Sequence, residues 1–115
     1  MIYTWLLELE TALSAAGLDT RITFAPDRGP GVVIGAPSLA WDDHVPRVAC
    51  GDPVRGDVAV IVHVIAQGWA PEQLEQQLSD AEDVLAALPP AWRTREMSPA
   101  PGDTTLPEYR ITIER

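Results

Sequence analysis

The feature that most constrains the fold is the segment at residues 58–66, Val-Ala-Val-Ile-Val-His-Val-Ile-Ala, which is apolar at every position but one. Such a run is typical of a strand that other elements cover on both faces. Residues 107–115 offer it a partner, because Tyr109, Ile111 and Ile113 alternate with polar or charged side chains. The pattern therefore predicts a sheet in which the last residues of the chain are structural.

Two further segments have the period of amphipathic helices. Residues 1–16 repeat apolar side chains at intervals of three and four, and Gly17 suits the left-handed position that ends many helices. Pro71 suits the first turn of a second helix, which the prolines at 89–90 end. The stripe predicted to face the core is Ile2, Leu6, Leu9, Leu13 and Ala16 in the first helix, with Trp5 beside it, and Leu74, Leu78, Ala81, Leu85 and Leu88 in the second.

The remaining strands are short. They are predicted at residues 20–24, 32–34 and 92–97, and the first two are predicted to form a hairpin. Prolines interrupt residues 35–56, where we expect a long loop with one short turn of helix or strand near Ser38. The prediction is a single α+β domain over residues 1–115, with a mainly antiparallel four- to five-stranded sheet and two helices packed on one face.

Composition excludes several classes of function. The 115 residues carry a net charge of −9, which argues against a nucleic-acid-binding role because phosphate binding relies on Lys and Arg. A lone Cys50 cannot form an internal disulfide. Glu8 and Glu10 interrupt the apolar start, and no run reaches the ~20 apolar residues of a membrane span. We expect a protein that is soluble and cytoplasmic when made.

Candidate chemistry is confined to two places. The first is the loop triplet Asp42, Asp43 and His44, with Cys50 nearby in the sequence. No second ligand group stands at a recognised metal spacing, so a solvated acidic loop with Trp41 packed beneath it is the favoured interpretation. His63 lies in mid-strand, where a hydrogen-bonded core residue or one facing a subunit boundary is commoner than a catalytic base. We predict no catalytic, cofactor-binding or metal-binding residue and no enzymatic activity.

Five segments together carry a resemblance to a known family. They are Val-Val-Ile-Gly-Ala-Pro at 32–37, Leu-Ala-Trp-Asp-Asp at 39–43, the strand at 57–66, the Glu-rich helix ending Leu-Ala-Ala-Leu at 85–88, and Leu-Pro-Glu-Tyr-Arg-Ile-Thr-Ile-Glu at 106–114. In this order they resemble the tail terminators of long-tailed (siphovirus-type) bacteriophages, especially those of actinobacterial hosts. The absence of Lys and Asn is typical of a GC-rich genome and agrees with that resemblance.

The resemblance implies a virion structural protein without a cofactor. Such a subunit closes into a ring, expected to be a hexamer, which caps the tail tube, ends its polymerisation and presents the surface that joins the head. The implied partners are further copies of the chain, the tail tube protein and a head-completion or neck protein. DNA would pass through the lumen without specific binding, and no membrane is involved. The implied location is the head-proximal end of the tail, with the host cytoplasm during assembly.

A ring of acidic subunits needs cations opposite carboxylates across each boundary, and Arg suits bidentate pairing while Trp is enriched at binding hot spots. The predicted subunit-interface residues are Arg28, Trp41, Arg47, Arg55, Trp69, Arg93 and Arg95. Two alternatives stay open. One is a phage neck or head-closure adaptor, and the less favoured one is a small cytosolic ligand-binding protein or enzyme built around residues 42–44 and His63.

Overall fold

The helices and strands follow one another in the order that the apolar pattern predicts. The computed structural model describes residues 2–25, 29–40, 57–100 and 105–115. Its elements are α1 (Ile2–Ala15), β1 (Thr20–Ile22), β2 (Gly31–Ile34), β3 (Ser38–Ala40), β4 (Asp57–Ile65), α2 (Pro71–Ala87), β5 (Arg93–Pro99) and β6 (Glu108–Glu114). β3 is the short strand expected near Ser38. The α+β class is confirmed.

All six strands belong to one sheet, in which β4 has the most neighbours. The order along the sheet is β1-β2-β4-β6-β5, and β3 pairs with the first part of β4 beside this path. β4 is antiparallel to β2, β3 and β6, and β5 is antiparallel to β6. The predicted mainly antiparallel sheet is therefore confirmed, with five strands on the continuous path.

The predicted hairpin between the first two strands is wrong, because β1 and β2 pair in parallel. The backbone N–H of Val32 donates to Asp19 O at 2.9 Å, so β2 begins beside the start of β1. A three-residue strand is only about 10 Å long, which the eight connecting residues can span on their way back. Gly31 makes the close approach possible, since its φ is +115° and a Cβ there would lie 3.0 Å from Asp19 O.

Both helices pack on the same side of the sheet, which we call the helix side. Leu6, Leu9 and Leu13 of α1 are at most 1% exposed, so these three positions of the predicted α1 stripe are confirmed. The core that they share with the sheet and α2 also contains Val32, Ile34, Val58, Val60, Val62, Val64, Ala81, Val84, Ile111 and Ile113. Because β4 alternates, its even-numbered valines all face this core.

The predicted packing stripe of α2 is confirmed at Ala81, which is buried, and at Leu88, which packs against the core, but it is wrong at Leu78 and Leu85. Leu78 is 49% exposed and Leu85 is 38% exposed, whereas Gln77, Ala81 and Val84 are buried. At about 100° per residue, the buried face is turned by roughly 50° from the predicted one. The cause lies in Gln77, whose Nε2 donates to two backbone carbonyls, Val64 O and Pro107 O, both at 2.9 Å. These two hydrogen bonds hold Gln77 against the sheet, where the sequence pattern had predicted Leu78.

Candidate functional site

The side of the sheet away from the helices, here called the far side, carries most of the described charged strand residues. Strand register places His63 beside Arg110, Ile61 beside Thr112, and Ala59 beside Glu114 on this side. Ala59 and His63 are buried, but Ile61 is 37% exposed. The expectation that β4 is covered on both faces is therefore wrong at Ile61.

A chain of three hydrogen-bonded polar side chains, two of them buried, crosses the far side. His63 Nδ1 lies 3.1 Å from Glu108 Oε1, and Arg110 Nε donates to Glu108 Oε2 at 3.0 Å. The side chains of His63 and Glu108 are only 7% and 4% exposed. Gly35 makes room for the imidazole, since a Cβ there would lie 3.1 Å from His63 Nε2. His63 is thus a hydrogen-bonded residue within the sheet, which is the interpretation that the sequence favoured over a catalytic base.

Sequence reasoning missed Glu108 as the partner of His63. The signal was present in the alternation of the last strand. Since Tyr109, Ile111 and Ile113 point to the core, Glu108 and Arg110 must point to the other side of the sheet. What the alternation does not give is the register, and the register decides which carboxylate meets the histidine.

Two of the predicted interface residues, Arg93 and Arg95, lie on the edge strand β5. Arg93 Nε donates to Glu114 Oε1 at 2.7 Å, and Arg95 Nη1 lies 3.8 Å from Glu114 Oε2. The arginine side chains are 67% and 55% exposed, while that of Glu114 is 15% exposed. The Glu114 carboxylate therefore lies beneath the two guanidinium groups. A partner that approached β5 here would contact the guanidinium groups first.

The helices present the opposite charge. Neither helix contains Lys or Arg, and together they carry seven carboxylates: Glu8, Glu10, Glu72, Glu75, Asp80, Glu82 and Asp83. Five of the seven are exposed. Four large apolar side chains are exposed among them, Tyr3 and Leu7 on α1 and Leu78 and Leu85 on α2. The exposed surface of the two helices is therefore acidic and also carries these four apolar side chains.

The described tryptophans divide between core and surface. Trp92 is 5% exposed and Trp5 packs against the core, and the Arg115 guanidinium lies 4.4 Å from the centre of the Trp5 ring and 5.9 Å from that of Trp92. Trp69 is 64% exposed, and its Nε1 donates to Thr105 O at 3.2 Å. Trp69 is therefore a surface tryptophan, whereas Trp5 and Trp92 close one end of the core.

Several predicted residues lie outside the described ranges. They are Arg28, Trp41, Arg47 and Arg55, together with the candidate triplet at 42–44 and Cys50. Among the residues that the structure does describe, no group of three or more His, Cys, Asp or Glu side chains could hold a metal ion. No helix in the same ranges is long and apolar enough to cross a membrane.

No family model matches this chain, and no curated protein matches it in sequence.

Proposed function

We propose that this chain is an assembly subunit of a long-tailed bacteriophage, the tail terminator. In this role it forms a ring, expected to be a hexamer, on the end of the tail tube, ends tube polymerisation and provides the surface that joins the head. The observation that supports the proposal is the contrast between two surfaces of one small subunit. The helices expose carboxylates and no cation, whereas strand β5 exposes the guanidinium groups of Arg93 and Arg95 beside one carboxylate, that of Glu96.

Unlike surfaces are what a closed ring of identical subunits requires. Each subunit in a ring contacts one neighbour with one patch and the other neighbour with a different patch. Complementary charge on the two patches guides the correct contact and opposes the contact of a patch with itself. A surface with carboxylates and no Lys or Arg also gives DNA phosphates no cation to bind, which suits a ring through which DNA passes.

Light scattering over a concentration series, with negative-stain imaging of the same fractions, tests the proposal. Purified tail tubes are added to half of the samples. A particle of about 75 kDa, six times 12.5 kDa, that appears as a ring or caps tube ends is the expected result. A chain that stays monomeric and never binds tubes contradicts the proposal. Binding to head or neck particles in place of tubes would favour the adaptor alternative.

A further inference from the structure

A small cleft opens between helix α2 and the start of strand β2. Its volume is about 80 Å³, several times the roughly 10–15 Å³ that one water needs and far below the roughly 300–1,000 Å³ of a pocket for a drug-sized ligand. The lining is apolar at Val32, Ile65 and Ala66, and α2 supplies polar residues, among them Gln77 and Asp80. The cleft therefore has room for one small group with a short apolar stem.

One atom in this cleft, Gln77 Oε1, accepts no hydrogen bond from any described residue. Gln77 is 3% exposed, and its Nε2 donates to Val64 O and Pro107 O. Oε1 is nevertheless not shut off from solvent, because Trp92 Nε1 is the only buried side-chain atom of the described residues that lacks both a partner and solvent. Since Gln77 lines the cleft and is otherwise buried, Oε1 meets solvent there. The amide is held by its nitrogen and presents a fixed acceptor to whatever enters.

The α2 wall of the cleft is also anionic. Gln76 Nε2 donates to Asp80 Oδ1 at 2.9 Å, which leaves Asp80 Oδ2 and Gln76 Oε1 without a donor among the described residues. α2 carries no Lys or Arg. On the opposite wall the Arg21 guanidinium lies near Asp19, since a Cβ at Gly31 would meet Arg21 Nη1 at 3.0 Å and Asp19 Oδ2 at 3.3 Å. Asp80 is therefore the carboxylate that attracts a cation into the cleft.

We propose that this cleft binds a primary alkylammonium group. The ammonium donates to Gln77 Oε1 and to the Asp80 carboxylate, and its methylene groups lie along the apolar lining. An ammonium is compact and has three donors and no acceptor, which suits the open acceptors of Gln76, Gln77 and Asp80. The site does not depend on the ring proposed above.

Other small ligands fit this cleft less well. The described residues hold no group of three or more His, Cys, Asp or Glu side chains that could bind a metal ion. An anion would meet the Asp80 carboxylate and an amide oxygen that has nothing to donate. Because the chain contains no Lys, the group belongs to another molecule. A free alkylamine and a lysine side chain of another protein share this chemistry.

Titration of the isotope-labelled protein with n-butylamine at neutral pH, followed by amide NMR signals, tests the site. We expect the side-chain amide signals of Gln76 and Gln77 to shift, with a dissociation constant in roughly the millimolar range that so small a ligand reaches. The uncharged n-butanol is expected to bind about tenfold more weakly or less tightly still. If n-butanol binds as tightly as n-butylamine, or if the Gln77 signals do not move, the cleft holds water only and the proposal is overturned.

A matched pair of variants separates the cleft from the general charge of α2. Asp80→Asn is expected to weaken n-butylamine binding by about tenfold, because it removes the carboxylate that lines the cleft. Asp83→Asn removes the same charge from an exposed position of α2 that does not line the cleft, and it is expected to weaken binding by less than about twofold. Equal losses in the two variants overturn the proposal, since they would show attraction to the helix charge alone.

A second ligand distinguishes the two sources of the ammonium group. Nα-acetyl-lysine methylamide carries the same four-carbon amine between two peptide groups. Binding tighter than that of n-butylamine by about threefold or more identifies a lysine side chain of another protein, because the peptide groups then add contacts. Equal or weaker binding identifies a free alkylamine. Failure of both ligands to bind overturns the site, whatever light scattering shows about the ring.

Discussion

Replacing buried Gln77 with Ala is expected to destabilise the fold more than replacing its neighbour Leu78 with Ala. In most amphipathic helices, replacing the leucine would cause the larger loss of stability. Here Gln77 is 3% exposed and its Nε2 donates to Val64 O and Pro107 O, whereas Leu78 is 49% exposed. The two substitutions lie in the same turn of α2, so differences in helix propensity between the sites are small.

The magnitude follows from the two hydrogen bonds. Each contributes about 0.5–1.5 kcal/mol net. Both carbonyls keep a second donor. The Ala66 N–H donates to Pro107 O at 2.9 Å, and Val64 forms a hydrogen-bonded pair with Tyr109, because in the same ladder Val58 and Arg115 exchange both of their hydrogen bonds. The cost is therefore that of the two lost bonds. We expect about 2 kcal/mol for Gln77→Ala. Leu78→Ala removes a half-exposed side chain and leaves no closed cavity, and we expect less than about 1 kcal/mol.

Urea unfolding followed by tryptophan fluorescence measures both variants, at concentrations where light scattering gives the monomer mass. A loss of about 2 kcal/mol lowers the midpoint by about 1 M for a domain of this size. Gln77→Met keeps the length of the side chain but has no donor, so it separates hydrogen bonding from packing. If Gln77→Met is as stable as the wild type, or if Leu78→Ala is the more damaging change, the proposed orientation of α2 is refuted.

Three other substitutions test separate parts of the fold. Val84→Ala, at a side chain that is fully buried, should cost about 2 kcal/mol in the same urea assay, and a change below about 0.5 kcal/mol would contradict the buried face of α2. Gly31→Ala should lower the melting temperature by several degrees in a calorimetric scan, because φ is +115° and the new Cβ would lie 3.0 Å from Asp19 O; an unchanged melting temperature would refute the parallel start of β2. Arg93→Ala should cost less than about 1 kcal/mol, and less again in 1 M salt, because the pair with Glu114 is exposed on the arginine side; a larger, salt-independent loss in urea titrations would show a structural role for the pair.

The candidate site was only partly predictable from the sequence. Arg93 and Arg95 were predicted as interface residues from the net charge and from the ring that the family resemblance implies, and they are exposed on an edge strand. Their intramolecular partner Glu114 was not predicted, because pairing across β5 and β6 depends on a register that includes a bulge between Thr94 and Glu96.

The sequence by itself determined the element types and the core strands. The alternation of β6, the apolar run of β4 and the three-four spacing of α1 are local patterns, and local patterns fix which side of an element is apolar. Only the tertiary structure decided the parallel pairing of β1 with β2, the roughly 50° turn of α2 and the meeting of His63 with Glu108. Each of these depends on contacts between residues distant in the chain, where a hydrogen bond such as that of Gln77 with Val64 outweighs the preference of a local stripe.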